Sequence, residues 1–264
     1  MAIETKTVES DEMKMKYFSF GSGSKKLVII PGLSIVSVMN FADSIAEAYN
    51  IFADAYQVFV FDRREDMPNP YTIHDMAEDT AKAMKELDIK DACLFGTSQG
   101  GMIVQAIAIH HPELVAKIAL GSTVSRIGDL KEEVALGKWL ELAKEKKAEE
   151  LNMAVSEFIY SKETFEQFKA ALISMGKMIT DRDIERFIIL AEGTGNMDLT
   201  EKLSSVRCPA FVVASEDDAV FDAGRMKETA KILGCESYFY KGFGHVVYDE
   251  APDFKERLLR FFES

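Results

Sequence analysis

Ala92-Cys93-Leu94-Phe95-Gly96-Thr97-Ser98-Gln99-Gly100-Gly101-Met102 is the stretch on which the reading of this chain turns. Its first four residues form a short apolar run of the kind a buried strand shows, and a helix is expected from near Gln99, apolar over Met102–Ile109. A strand that passes into a helix across so tight a turn holds the serine in a strained backbone conformation. Such strain costs on the order of 1–3 kcal/mol, and glycine at 96 and 100 removes side chains that would crowd the turn. The helix start also aims free N–H groups and a partial positive charge at Ser98. G-x-S-x-G recurs by chance in many chains, but between a strand and a helix it is the pattern of an exposed, activated serine.

Outward from this turn, short apolar runs alternate with amphipathic stretches. Leu27–Ile30 is a continuous apolar run closed by Pro31-Gly32, and Val58–Phe61 is a second, closing at Asp62-Arg63-Arg64. Ile73, Met76, Ala77, Thr80, Ala83, Met84 and Leu87 recur at spacings of three and four, which predicts a helix. Val115–Leu120 follows the stop at His111-Pro112 as another strand. From about 126 to 204 the pattern is almost wholly helical, with Trp139, Phe158 and Phe187 among its apolar anchors. Strand rhythm resumes at Ala210–Ala214 and Tyr238–Tyr240, and a last helix is expected from about Pro252 to Phe262. The expected class is α/β, a mostly parallel sheet flanked by helices. Residues 1–124 and 205–264 would form its core, and 125–204 an all-helical cap laid over one edge of the sheet.

A chain of 264 residues buries about 70–75% of its unfolded surface, and 47% hydrophobic residues exclude extended disorder. The net charge of −13 repels phosphate backbones and anionic lipid, so neither nucleic acid nor a membrane surface is an expected partner. Met1-Ala2-Ile3-Glu4-Thr5-Lys6 carries no apolar signal segment, and no apolar run approaches about 18 residues. Cys93, Cys208 and Cys235 are odd in number and scattered, so reduced thiols in a cytoplasmic protein are expected. Metal-ligand spacing is absent from the sequence, and no P-loop is present.

A serine hydroxyl needs a neighbouring base. Of the four histidines, His245 alone lies in a loop after an expected strand, in Gly242-Phe243-Gly244-His245. Such loops at the C-terminal ends of strands gather the ligand-contacting residues of an open α/β sheet. His110 and His111 would satisfy carbonyls at a helix end, and His74 would sit on the surface. His245 is therefore the base by position and by elimination. An acid to hold its imidazole is expected in Ser215-Glu216-Asp217-Asp218, after the strand Ala210–Ala214, at Asp217 or Asp218. Oxyanion donors are expected from the backbone N–H of Gln99 and of Leu33, the latter in the loop Pro31-Gly32-Leu33-Ser34. Asp62-Arg63-Arg64 would form a structural ion pair behind the site.

At these residues the chain resembles the α/β-hydrolase superfamily, over nearly all of its length. Leu27–Leu33 looks like the strand and oxyanion segment, Phe95–Met102 like the nucleophile elbow, and Cys208-Pro209 through Val220 like the strand that delivers the acid. Gly244-His245 with Glu250 and Pro252 looks like the histidine loop and final helix. Asp62-Arg63-Arg64, Thr72-Ile73 and Gly96–Met102 most resemble small capped esterases and 3-oxoadipate enol-lactonase-like hydrolases. Many members have His-Gly where this chain has Pro31-Gly32, glycine where it has Ser215, and a G-x-G-x-S run where it has Glu65-Asp66-Met67-Pro68. These departures flank the pocket and bear on the substrate.

The resemblance implies the chain order nucleophile, acid, base. Counted from Ser215, at the family's glycine position, it selects Asp218 over Asp217. The expected function is a serine hydrolase cleaving a small carboxylic ester or thioester through Ser98, Asp218 and His245, with no cofactor and no metal. Lactone opening or carbon–carbon bond hydrolysis on the same triad is the alternative, as is a low-turnover ligand-binding receptor of the same fold. A small-molecule acyl substrate is the expected partner, and the sequence is compatible with a homo-oligomer.

Overall fold

Alternation over 13–17 marks the second strand of the chain. In the computed structural model, which describes residues 2–10 and 13–264, Met13, Met15 and Tyr17 are buried while Lys14 and Lys16 are exposed. They belong to β2 (Met13–Phe20), which pairs antiparallel with β1 (Thr5–Ser10) on one side. Neither strand is among those expected from the sequence, whose alternation starts at about residue 27. Met1, where the expected core segment starts, lies outside the described residues.

Next along the chain come β3 (Lys25–Ile30), α1 (Ala42–Ala48), β4 (Tyr56–Arg64), α2 (Ile73–Glu86), β5 (Ala92–Thr97), α3 (Gln99–His110) and β6 (Val115–Gly121). Five helices follow without a strand: α4 (Val134–Lys144), α5 (Ala148–Ile159), α6 (Lys162–Gly176), α7 (Asp181–Glu192) and α8 (Thr200–Leu203). The chain closes with β7 (Ala210–Ser215), α9 (Ala223–Leu233), β8 (Glu236–Tyr240), α10 (Val247–Glu250) and α11 (Phe254–Glu263). The eight strands form one sheet in the order β1-β2-β4-β3-β5-β6-β7-β8, parallel from β4 to β8. This is the α/β-hydrolase fold expected from the sequence.

Period-two alternation along β3 fills both faces of the sheet. Val28 and Ile30 join Met76 and Ala83 of α2 and Ile103 and Ile107 of α3. Leu27 and Ile29 join Phe254, Leu258 and Phe262 of α11. Thr72 and Asp75 start α2 with reciprocal side-chain and backbone bonds, and Thr180 and Asp183 start α7 the same way.

Strand order reverses at β3, which has β4 on one side and β5 on the other. The loops leaving β3 and β5 therefore diverge and open a crevice at their C-terminal ends, where an open α/β sheet binds ligands. The five-helix stretch leaves and re-enters the sheet through a narrow neck. Ile127 N donates to Met197 O (2.7 Å), Leu199 N donates to Ser125 O (2.9 Å), and Arg126 and Asp198 form an isolated bridge. Among the described residues no helix is long and apolar enough to cross a membrane.

Two expectations change here. Strand β4 runs on through Asp62-Arg63-Arg64, and successive strand side chains point to opposite faces. The ion pairs seen at the triplet reach outside it: Asp62 takes Arg186 and also the Ser37 hydroxyl, while Arg64 lies 3.5 Å from Asp79. His111 serves carboxylates rather than helix carbonyls, with Nε2 2.8 Å from Glu78 Oε1.

Candidate active site

Ser98 occupies the turn between β5 and α3 with φ 51° and ψ −122°, a left-handed conformation that a side chain disfavours. Bonds on each side hold it there. Ser98 N donates to Gly121 O (2.8 Å), and its carbonyl accepts from Thr123 Oγ1 (2.7 Å) and Gly101 N (2.9 Å). The flanking glycines are steric necessities. A Cβ at Gly100 would lie 1.9 Å from Ile30 O, and one at Gly96 2.4 Å from Gly100 O. A Cβ at Gly32 would meet Ser98 Cβ at 3.0 Å, so the loop after β3 lies directly against the serine.

His245 is 3% exposed, packed edge-on against Phe221 at 5.5 Å between ring centres. Its Nδ1 stands 2.8 Å from Asp218 Oδ2, and the Asp218 side chain is fully buried. Because a carboxylate only accepts, Nδ1 carries a proton, and in the neutral imidazole Nε2 keeps its lone pair. Asp218 Oδ1 accepts from Val220 N (2.7 Å) and Phe221 N (2.9 Å), so three donors converge on this carboxylate. Asp217 is exposed and accepts from Gly242 N at 2.6 Å, stitching the acid turn to the histidine loop. Ser215, buried at the end of β7, adds a second stitch by donating to Phe243 O (2.6 Å).

Ser98 and His245 border one cavity of about 50 Å³, together with Leu33 and Gln99. Among the described residues no hydrogen bond joins Ser98 Oγ to His245. Such bonds are often loose before substrate binds. Neither Leu33 N nor Gln99 N has an acceptor among the described residues. All five sequence-predicted site residues are thus gathered: four on the cavity, and Asp218 behind His245.

The inserted helices supply the far wall. Trp139 of α4, Ile159 of α5 and Phe187 of α7 line the cavity, whereas Phe158 does not. The Phe158 ring stands edge-on to Trp139 at 6.1 Å, bracing it from outside. Thr194 and Tyr248 also line the cavity and were not singled out from sequence. Tyr248 lies three residues past His245, and that closeness in sequence is the available signal. Among the described residues no His, Cys, Asp or Glu cluster could hold a metal ion.

Hydrogen bonds through Gln99, Val246 and Glu250 tie this inserted stretch to the residues next to Ser98 and His245. Gln99 Nε2 donates to Leu190 O (2.8 Å) and Thr194 Oγ1 (2.7 Å). Val246 N donates to Ile159 O (3.0 Å). Glu250 accepts from both Gly244 N (2.7 Å) and Ser161 N (2.9 Å). On the other side of Gln99, Arg63 Nη2 donates to Gln99 Oε1 (3.1 Å) and to Pro31 O (2.8 Å). Burial is the larger influence on Arg63 and pulls it down to about 10, against the raising effect of Asp62; it remains a cation at neutral pH.

A family model described as alpha/beta hydrolase fold matches residues 26–252. The chain is 22% identical over 219 residues to 3-oxoadipate enol-lactonase 2 of Acinetobacter baylyi, covering 81% of this chain and 79% of that protein. It is 24% identical over 230 residues to a Rhizobium rhizogenes protein with the provisional name carbamate hydrolase RutD, covering 80% and 84%. Among solved structures, MGS-M2, an alpha/beta hydrolase enzyme from a Medee basin deep-sea metagenome library, matches with a TM-score of 0.86. That match is 21% identical and covers 98% of each chain, a likeness of fold.

Proposed function

The chain belongs to the α/β-hydrolase family, and from that premise we propose that it is a serine hydrolase cleaving a small carboxylic ester or thioester through an acyl-enzyme on Ser98. The observation that carries this reading is the buried His245–Asp218 pair beside the cavity that Ser98 also borders. Ser98 Oγ attacks the acyl carbonyl while His245 Nε2 takes its proton, and Asp218 holds the Nδ1–H and stabilises the imidazolium. The N–H groups of Gln99 and Leu33 receive the oxyanion. As the intermediate collapses, the imidazolium protonates the leaving group. Water then attacks the acyl-enzyme by the same route, returning Ser98 to its resting state. No cofactor enters. The helices of 125–204 act as a cap that excludes bulk water from the acyl-enzyme.

The enol-lactonase named among the relatives favours a second reading, opening of a lactone, in which the leaving alkoxide stays tethered to the acyl group. The test is a fluorophosphonate probe with the labelled peptide identified. Beside it runs a panel of acetyl to hexanoyl esters, their thioesters, lactones and a carbamate. Labelling at Ser98 with turnover of part of the panel is expected. A folded protein that binds panel members but neither labels nor turns over would be a receptor on this fold.

The cavity wall supplies a further prediction. Trp139→Leu or Phe187→Leu should change the ratio of kcat/KM between acetyl and hexanoyl esters about tenfold or more, since one methylene is worth about 1–3 kcal/mol. Phe158→Leu, which acts only behind Trp139, should lower Tm with a smaller change in that ratio. Ratios unaltered in the first two variants would remove both rings from the acyl site.

A further inference from the structure

We propose that Arg63 is a positioning residue of the reaction, bracing both oxyanion donors from behind and holding a positive charge close to the site where the oxyanion forms. The inference rests on the serine-hydrolase reading of Ser98. A single guanidinium nitrogen, Nη2, donates to the carbonyl of Pro31 and to Oε1 of Gln99. Pro31 lies two residues before Leu33, and Gln99 carries the other oxyanion N–H. One atom therefore spans the two loops whose separation sets the width of the oxyanion hole.

The orientation of the Gln99 amide is fixed by its partners. Its Nε2 faces two acceptors, Leu190 O and Thr194 Oγ1, so Oε1 must face the guanidinium. Arg63 is 4% exposed, and among the described residues its side chain forms no ion pair within 4 Å. The nearby carboxylate, Asp62, receives Arg186 and the Ser37 hydroxyl, leaving two guanidiniums to one carboxylate. The Arg63 Nε is buried with no acceptor among the described residues. An unbalanced cation held in a low-dielectric interior acts over several ångströms, and a developing oxyanion is the charge it would favour. Arg63 does not line the cavity, so it works through Pro31 and Gln99 and through its field.

The experiment compares wild type with Arg63→Met, Arg63→Gln and Arg63→Lys, using p-nitrophenyl acetate and a trifluoromethyl ketone. The ketone adds to the serine as an anionic tetrahedral adduct. Arg63→Met and Arg63→Gln should each lower kcat about 10- to 100-fold, below the roughly 10²–10³ that loss of a direct oxyanion donor costs. KM should stay within about threefold, and inhibition by the ketone should weaken by the same factor as kcat/KM. Arg63→Lys keeps the charge and loses the fork, so it should recover part of the rate. A kcat within about threefold of wild type overturns the proposal, as does a lowered kcat with undiminished ketone binding. If Arg63→Met does not fold, Gln99→Leu breaks the same contact while keeping the backbone N–H, and an unchanged kcat there is equally fatal. Wild type that neither labels at Ser98 nor turns over would remove the serine-hydrolase reading itself. A labelled, active wild type with an unaffected Arg63→Met removes only the positioning role.

Discussion

Ser98→Ala protein should fold, keep its Tm within a few degrees, and lose both ester turnover and fluorophosphonate labelling. Removal of the nucleophile from a comparable triad costs about 10⁶ in kcat. The fold should tolerate the change because the strained turn is held by backbone bonds to Gly121 and from Gly101, and by the Thr123 hydroxyl bonding the Ser98 carbonyl. None of these uses the Ser98 side chain, and alanine suits φ 51° no better than serine does. Labelling that persists in the variant would move the nucleophile to another residue.

Asp218→Asn should nearly silence the enzyme, by about 10⁴ in kcat as in a related triad. The asparagine carbonyl can keep the bonds from Val220 N and Phe221 N, which turns its NH₂ toward His245 Nδ1. Nδ1 must then give up its proton, leaving Nε2 protonated and unable to act as base. Asp217→Asn should cost less than about tenfold, because an amide oxygen can still accept from Gly242 N on an exposed turn. Steady-state rates of the two purified variants, with Tm as a control for folding, decide the matter. The reverse pattern would transfer the role to Asp217.

The residues that carry the proposed chemistry were legible because each sits at the end of a strand, where local pattern and loop position coincide. Ser98, His245 and the acid turn all follow apolar runs that read plainly as strands. β2 was open to reading in the alternation Met13, Lys14, Met15, Lys16, Tyr17, whereas β1 buries only Val8 and resembles a polar terminus. α9 was missed although Asp222 accepts from Gly224 N at its start and Gly234 closes it with φ 62°. What pattern could not reach was partnership across long separations. Asp62 finds Arg186, 124 residues on, and Gln99 finds Thr194, 95 residues on; nothing in the spacing of either predicts the other. Phe158 and Phe187 look alike in sequence, and only the packing of α5 against α4 puts Phe158 behind Trp139 while Phe187 reaches the cavity.

The ties between the inserted helices and the residues next to Ser98 and His245 constrain how this enzyme can change over generations. A Cβ at Gly244 would lie 2.5 Å from Ile159 O, so α5 and the histidine loop are fitted to each other without slack. Gln99 is likewise committed to Leu190 and Thr194 on one side and Arg63 on the other. Substitutions that remodel the insertion are felt at residues adjacent to Ser98 and His245. An insertion borrowed from a distant relative would arrive without the partners these residues require. A remodelled insertion therefore calls for compensating changes across the seam between insertion and sheet, at Gln99 with Thr194 or at Glu250 with its two backbone donors, rather than exchange of the whole segment.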